Sequence, residues 1–209
     1  GFLGPNGAGK TSTIHCAMGI AKITSGTIKV FDIDVVKEYR EARKKVGLAP
    51  QEFNFDFFGQ IAKSLDYIGG YYGIPKQERK ERIEELLERF GLIEHRDKAF
   101  HELSGGLKRR AILARALVHD PDLIIFDEPT AGVDVELRHD LWRYMEELNA
   151  SGKTIILTSH YLEEVEKLCN TIAIINKGKI AAQGAKSEFL KNGKSLEEVY
   201  LKITKGEDW

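Results

Sequence analysis

Three apolar runs of strand length occur in the second half of the chain, at residues 123–126, 154–158 and 172–175. Their residues are continuously apolar rather than alternating, which is typical of strands that are covered on both faces in a parallel α/β sheet. Between residues 135 and 149, apolar side chains recur at helical spacing, and Ser151-Gly152 then ends the predicted helix. Strand, helix and strand in this order predict a βαβ unit.

Residues 58–117 have a different pattern, which is helical and strongly charged. Pro75 opens the segment 78–90 and Gly91 ends it, as expected at the two ends of a helix. Near the end of the chain, residues 176–179 predict a hairpin turn, and helical segments begin near Ser187 and Ser195. We therefore expect one α/β domain, with residues 1–57 and 118–209 forming the sheet core and residues 58–117 forming an inserted helical lobe.

Composition narrows the class of protein. With 209 residues, of which 42% are hydrophobic, the chain can bury one sizeable core. A formal net charge of -1 gives no general attraction to nucleic acid, so no nucleic acid partner is expected. No apolar run approaches the roughly 20 residues of a membrane-spanning helix. Cys16 and Cys169 lie far apart in the sequence, which favours a reducing compartment and two buried packing residues.

The first candidate site is the glycine-rich segment at the start of the chain. Its residues fit the phosphate-loop pattern, and they are Gly4, Pro5, Asn6, Gly7, Ala8, Gly9, Lys10, Thr11 and Ser12. Small residues let consecutive backbone N–H groups point at an anion, and the following helix adds its positive end. Lys10 would meet the β- and γ-phosphates, the Thr11 hydroxyl would bind Mg²⁺, and Ser12 would bond a phosphate oxygen. ATP with Mg²⁺ is the expected ligand.

A pair of carboxylates ends the apolar run at 123–126. Neighbouring strand positions face opposite ways, so Asp127 and Glu128 should have different tasks. Asp127 can hold hydrated Mg²⁺, and Glu128 can accept a proton from the attacking water or orient it. Alone, the pair would be interpreted as a solvated turn, and the phosphate loop favours the catalytic interpretation.

A second anion site is predicted where Leu103-Ser104-Gly105-Gly106 precedes a helical run over 107–117. Ser104 can cap this helix, and Gly105 and Gly106 let the backbone approach an anion closely. Alone, the segment would be a cap and turn. Two anion cradles beside a single catalytic carboxylate suggest that each cradle pairs with the phosphate loop of a second copy.

Together these motifs make the chain resemble the nucleotide-binding domain of ABC transporters over nearly its whole length, with a P-loop NTPase core. Gly4 to Ser12 resembles the Walker A loop, 103–106 the signature and 123–128 the Walker B strand. The resemblance also implies roles for three single residues. Gln51 would sense Mg²⁺ and the attacking water, Asp134 would lie in the D-loop at the nucleotide interface, and His160 would hold the γ-phosphate and position Glu128. Without the family, these would be a polar loop residue, a helix-entry acid and a surface histidine.

Residues 127–134, 136–138 and 160–164 resemble bacterial exporters whose ATPase and permease are separate chains. The resemblance implies a head-to-tail homodimer that hydrolyses ATP, docked as a peripheral subunit on a transmembrane permease at the cytoplasmic face of the inner membrane. A soluble ABC ATPase of translation or DNA repair is the alternative. Residues 12–103 show neither sustained heptads nor a Cys-x-x-Cys pair, which repair-type members carry.

Three features of the sequence depart from the family pattern or allow two interpretations. Leu107 stands where the family commonly has Gln, but a different residue followed by a basic run, here Lys108-Arg109-Arg110, resembles the exporter subgroup, and we expect activity to survive it. Because the phosphate loop begins almost at once, we expect a leading strand to be missing from the sequence. The family resemblance implies an adenine-stacking aromatic residue upstream of the phosphate loop, so we expect that residue to be missing as well. The aromatic cluster at 53–58 is either packing between the lobes or an exposed docking site for a permease helix. His15, His95, His101, His119 and His139 show no metal-ligand spacing and are interpreted as structural or surface residues.

Overall fold

The computed structural model of the protein describes residues 1–52, 56 and 58–207. Its strands are mainly parallel. One sheet joins, in this order, β4 (Val46–Ala49), β5 (Leu123–Asp127) and β6 (Thr154–Thr158), all parallel. Another joins β1 (Phe2–Leu3), β7 (Thr171–Asn176) and β8 (Lys179–Ala185), with β1 parallel and β8 antiparallel to β7. A short hairpin pairs β2 (Lys29–Val30) with β3 (Ile33–Asp34).

The central strand β5 is covered on both faces. Ile124 and Phe126 belong to the larger hydrophobic cluster, whereas Leu123 and Ile125 belong to a second cluster around Ile14. Successive strand residues point to opposite faces, so continuous apolarity places apolar side chains in both clusters. The predicted α/β class and the three predicted strands are confirmed.

Helices connect many of these strands, and the ends of several of them follow the predicted signals. Ser104, Asp134 and Ser195 each cap a helix through a side-chain oxygen, and Pro75 precedes the helix that ends before Gly91. The helices are α1 (Lys10–Ala17), α2 (Tyr39–Lys44), α3 (Ile61–Tyr71), α4 (Lys76–Arg89), α5 (Gly105–Leu117), α6 (Val135–Ala150), α7 (Leu162–Leu168), α8 (Lys186–Phe189) and α9 (Leu196–Lys205), with 3-10 turns at Ile93–His95, Phe100–Glu102 and Lys191–Gly193.

Three consecutive helices, α3, α4 and α5, lie between β4 and β5, within the segment predicted to form a helical lobe. The exact division at residues 57/58 and 117/118 stays a prediction. Helix α5 packs against β4, and Gly47 permits the close approach, because a Cβ there would lie 2.2 Å from the carbonyl oxygen of Ala116. The helix that begins at Ser104 is thereby held against the sheet beside β5.

Several smaller predictions are also tested by the structure. Lys177 and Gly178 form the predicted turn between β7 and β8, with φ values of 48° and 76°. Cys169 is buried as predicted, but Cys16 is partly exposed, so the interpretation of both cysteines as buried was wrong for Cys16. Ile14 of the same helix, α1, is buried in the second hydrophobic cluster, whereas Cys16, two positions later, is not among its members. Within the described residues, no helix is both long and apolar enough to cross a bilayer.

The aromatic cluster predicted at 53–58 lies mostly outside the described residues, because 53–55 and 57 are not among them. Phe58 is described, and its side chain is 79% exposed, with its ring centroid 5.6 Å from that of His101. The choice between a packing cluster and a docking site therefore stays open.

His119 is a structural residue, as the sequence indicated. Its ring stacks on Tyr72 with the centroids 3.8 Å apart, and its Nε2 lies 3.0 Å from the carbonyl oxygen of Val46. Burial lowers the pKa of His119 below the ordinary 6.5, although its contact with Val46 and the charge of Asp120 oppose the shift. The folded protein therefore favours the neutral ring.

This pKa shift predicts a pH-dependent stability. Below pH 6.5 the unfolded chain binds a proton at His119 that the folded chain does not, so stability should fall as pH drops from 7 towards the lowered folded pKa. The contribution of one group is at most about 1.4 kcal/mol per pH unit. Denaturant unfolding of His119→Gln between pH 5 and 8 should show a shallower loss than the parent. The exposed His139→Gln serves as the control, and equal slopes in parent and His119→Gln would contradict the assignment.

Candidate functional site: a phosphate loop facing a buried carboxylate pair

The predicted phosphate loop connects β1 to α1, which begins at Lys10. Gly7 and Gly9 have φ values of 76° and 110°, a region that side-chain-bearing residues rarely adopt. The loop is closed by a hydrogen bond of 3.1 Å from the Ala8 N–H to the Pro5 carbonyl, and the Gly178 N–H donates to the Ala8 carbonyl at 2.9 Å. Gly4 is also required for packing, because a Cβ there would lie 2.4 Å from the Ile175 carbonyl oxygen.

An open cleft of about 590 Å³ lies over this loop. It brings the loop together with three residues that come from separate parts of the chain, Gln51, Glu128 and His160. The residues of the loop that line it are Asn6, Gly7, Ala8, Gly9, Lys10, Thr11 and Ser12. The cleft thus brings Gln51, Glu128 and His160 to the loop, whereas Gly4, Pro5 and Asp127 are not among the described residues that line it.

Glu128 is at the centre of this cleft and is held by two partners. The Gln51 Nε2 donates to Glu128 Oε2 at 2.6 Å, and the His160 Nε2 lies 2.6 Å from Glu128 Oε1. The side chain of Glu128 is 9% exposed, whereas that of His160 is 44% exposed. Glu128 also has a φ of 51°, which is unusual for a residue with a side chain. A strained backbone thus presents the carboxylate to the cleft.

Asp127 and Glu128 are joined by Thr158, a residue that the sequence analysis missed. The fully buried Thr158 hydroxyl donates to Asp127 Oδ1 at 2.5 Å and accepts from the Glu128 N–H at 3.0 Å. The parallel register of β5 and β6 sets Asp127 opposite Thr158. The available signal was a hydroxyl at the end of an apolar strand, directly before Ser159 and His160.

Lys10 is buried at the base of the cleft and is 7% exposed. Its Nζ donates to the carbonyl oxygens of Gly4 and Pro5, at 2.6 and 3.3 Å. Burial lowers the pKa of Lys10, and the charges of Glu128 and Asp127 oppose this shift. A buried cation close to two carboxylates gives the cleft mixed charge, as a site for an anion with a bound cation requires.

The second predicted cradle lies elsewhere. Ser104 caps α5 by accepting from the Leu107 N–H at 3.4 Å, and Asp134 caps α6 by accepting from the Leu137 N–H at 2.8 Å. Gly106 lies beside α6, since a Cβ there would be 3.4 Å from Leu137 Cδ2. The described residues that line the cleft include none of 104–106 and not Asp134. Within one copy, these residues do not meet the phosphate loop.

Arg109 is a second residue that the sequence analysis did not identify. It is 3% exposed and lies in α5, where its guanidinium donates to the backbone carbonyl oxygens of Gln51 and Glu128. Three and four positions later, Ile112 and Leu113 are also buried. An arginine on the buried face of a helix was the available signal, but the basic run from Lys108 to Arg110 resembles a solvated surface.

Fold and cleft together define a phosphate-loop nucleotide-binding domain in which a buried carboxylate faces the loop. A family model described as ABC transporter matches residues 1–131. The chain therefore belongs to the ABC transporter family, and it is an ATP-binding domain of that family. The fold class and the family that the sequence predicted are confirmed.

Individual relatives agree with this. The chain is 40% identical over 202 residues to Nod factor export ATP-binding protein I of Cupriavidus metallidurans, covering 96% of this chain and 67% of the relative. It is 43% identical over 190 residues to the protein of the same name from Paraburkholderia xenovorans, covering 91% of this chain and 62% of the relative. A solved ATP-binding subunit of an ABC transporter superposes with a TM-score of 0.89 at 27% identity, covering 97% of this chain and 87% of that one. The chain spans about two thirds of the length of these curated relatives.

Proposed function

We propose that this domain binds and hydrolyses ATP in order to power export through a separate membrane permease. The carboxylate of Glu128, held by Gln51 and His160 at 2.6 Å each above the phosphate loop, is the observation that carries the proposal. The similar proteins named for Nod factor export support the export direction. Because such relatives are ATP-binding proteins, the cargo would be selected by the permease rather than by this domain.

The triphosphate would bind in the cleft over the phosphate loop. Backbone N–H groups of the loop and the positive end of α1 favour negative charge there. Lys10 would exchange its contacts with the Gly4 and Pro5 carbonyls for β- and γ-phosphate oxygens, and the Ser12 hydroxyl would bond another. Lys10, Ser12 and Glu128, the side chains that would act on the phosphates, all line this cleft.

The polar groups present also fit Mg²⁺, which prefers oxygen ligands. Thr11, which carries a hydroxyl, lines the cleft, and the carboxylate of Asp127 accepts a hydrogen bond from Thr158. Gln51 donates its Nε2 to Glu128, so its amide oxygen is the atom available to the metal or its water. A bound Mg²⁺ would neutralise phosphate charge, and Thr11, Gln51 and Asp127 would hold it.

Hydrolysis would depend on positioning and charge rather than on a covalent intermediate. Glu128 would orient the attacking water and accept its proton, while Gln51 and His160 fix the carboxylate in place. Lys10 would stabilise the negative charge that spreads over the γ-phosphoryl oxygens. His160 lines the same cleft and its side chain is 44% exposed, so it would also contact the γ-phosphate.

A second copy would complete the site. Ser104, Gly105 and Gly106 are absent from the described lining of their own cleft, and Asp134 is equally absent. A head-to-tail homodimer would bring these residues onto the nucleotide of the other copy, with the positive end of α5 facing the γ-phosphate. We place this dimer at the cytoplasmic face of the plasma membrane, as a peripheral subunit on its permease.

One experiment tests the proposal as a whole. The complete gene product carrying Glu128→Gln is affinity-purified from detergent-solubilised native membranes in MgATP, and the co-purifying proteins are identified. We expect a multi-spanning permease in roughly stoichiometric amount, and purified parent protein should hydrolyse ATP. Ribosomes or DNA in place of a membrane protein would instead support the alternative, a soluble ATPase of translation or repair.

Thr158 supplies a further prediction about the same site. Thr158→Val keeps the side-chain shape but removes the hydrogen bond to the Asp127 carboxylate and one of the two acceptors of the Glu128 N–H, which also donates to the Thr158 backbone carbonyl at 3.1 Å. Since hydrogen bonds to charged groups contribute about 1.5–3 kcal/mol, the ATPase rate should fall roughly 10-fold or more. Steady-state ATPase assays measure this change, with Thr154→Val at the exposed start of the same strand as the control. An unchanged rate in a folded Thr158→Val protein would show that the hydroxyl does not position the carboxylates.

A further inference from the structure

Arg109 makes an unusual set of contacts for a buried cation. Its guanidinium donates to backbone carbonyl oxygens of two separate segments, residues 50–51 and residues 127–129. The contacts are Nη1 to Pro50 at 2.8 Å and to Gln51 at 3.3 Å, Nε to Pro129 at 2.7 Å, and Nη2 to Asp127 at 3.2 Å and to Glu128. One side chain from α5 thus joins the segments that carry Gln51 and Glu128.

The position of these two segments explains why several N–H donors with fixed directions are needed. β4 and β5 are parallel neighbours, with Ala49 opposite Phe126, and the chain leaves the sheet directly after both strands. Carbonyl groups beyond the end of a strand have no hydrogen-bond partner in the sheet. Burying them without another donor would raise the free energy of the folded state. A planar guanidinium presents five N–H donors in fixed directions, so it can satisfy carbonyls of both segments at once. A lysine ammonium, with a single nitrogen, cannot span them in the same way.

Two further observations indicate that Arg109 does more than supply hydrogen-bond donors to buried carbonyl groups. Glu128 has a φ of 51°, and a strained conformation persists when its surroundings fix it. Arg109 holds the carbonyl of this residue, while Thr158 holds its N–H. The same guanidinium holds the carbonyl of Gln51, whose side chain donates to Glu128 at 2.6 Å. Both residues of that hydrogen bond are therefore attached to Arg109 through their backbones.

Arg109 keeps its charge in this environment. Burial lowers its pKa to about 10, and the nearby charges of Asp127, Glu128 and Glu164 limit the decrease. The side chain is consequently protonated near neutral pH, when all five donors are available.

We infer that Arg109 is a positioning residue for hydrolysis: it fixes the backbones of Gln51 and Glu128 so that their side chains meet beneath the γ-phosphate. The inference rests on the proposed function, because it concerns the geometry of the same carboxylate. Arg109 does not line the cleft that would hold the nucleotide, so it acts through the two residues that do. It also acts within its own copy, although α5 begins at the cradle proposed for the other copy's nucleotide.

The first test separates catalysis from binding and from folding. In the complete gene product, Arg109→Lys should lower kcat about 10- to 100-fold with KM for ATP changed less than about threefold, because small misplacements of a catalytic group cost rate. Arg109→Gln provides a second variant, and Lys108→Gln removes the neighbouring charge on the same helix as a control. Rates are expressed per nucleotide-binding site, so partial unfolding does not count as lost catalysis. An unchanged kcat with a lowered melting temperature would reduce Arg109 to a structural role and overturn the inference.

Mixed pairs test whether Arg109 acts within its own copy. Arg109→Lys and Glu128→Gln are placed either on the same copy or on opposite copies of a pair with two purification tags. If Arg109 acts within its own copy, a pair that carries both changes on one copy should keep the rate of a pair that carries Glu128→Gln alone. A pair that carries the two changes on opposite copies should be 10- to 100-fold slower. The reverse order would assign Arg109 to the other copy's nucleotide and overturn the inference. If the parent protein shows no ATPase activity at all, the proposed function fails instead.

Discussion

Glu128→Gln is expected to lower ATP turnover by about 10²- to 10⁴-fold, the range typical of a removed general base. Glutamine cannot accept the proton of the attacking water. It also replaces one carboxylate oxygen by an NH₂ group, which cannot accept from either Gln51 or His160. ATP binding should persist, because the phosphate loop and Lys10 are unchanged. Phosphate release under steady-state conditions measures turnover, and nucleotide titration measures binding.

The same variant should accumulate as a nucleotide-bound dimer in MgATP, because hydrolysis no longer removes the γ-phosphate that joins the two copies. Size-exclusion chromatography with light scattering detects this state. Glu136→Gln, in the exposed first turn of α6, is the matched control and should behave as the parent does. A Glu128→Gln protein that stays monomeric in saturating MgATP would argue against the head-to-tail arrangement, and one with parental turnover would remove Glu128 from catalysis.

Lys10→Met should weaken ATP binding by roughly 10- to 100-fold, because a charge-assisted hydrogen bond contributes about 1.5–3 kcal/mol. Its ammonium is the buried cation at the base of the cleft, and its charge interacts with both Asp127 and Glu128. Without Lys10, these carboxylates would face the triphosphate with less compensating charge. Fluorescent nucleotide titration at fixed ionic strength measures the affinity.

Lys10 also donates to the Gly4 and Pro5 carbonyls, so Lys10→Met can loosen the loop as well. Thermal unfolding with and without nucleotide separates the two effects, since a ligand stabilises the folded state in proportion to its affinity. Lys22→Met removes an exposed charge beyond α1 and should leave both quantities unchanged. Parental affinity in a folded Lys10→Met protein would contradict the proposed phosphate contact.

Much of the site could be predicted because its chemistry is local in the sequence. The glycines of the phosphate loop adopt the conformations that their residue type allows, and Gly4 avoids a clash with Ile175. The two caps at Ser104 and Asp134 also follow from short-range rules, and both are present in the structure. By contrast, the family resemblance implied that His160 positions Glu128 and that Gln51 senses Mg²⁺ and the attacking water, and neither role follows from residue types alone. The hydrogen bond from Gln51 to Glu128 was not predicted.

By itself, the sequence determined the α/β class, the buried central strands and the loop that cradles an anion, because these depend on hydrophobic period and on residues a few positions apart. Tertiary structure alone decided that β7 pairs with β1, that Thr158 joins Asp127 to Glu128, and that Arg109 holds the segments of Gln51 and Glu128. Such contacts join residues 18 to 171 positions apart. They depend on strand register and on how closely α5 approaches the sheet, which are properties of the packed molecule and not of any local pattern.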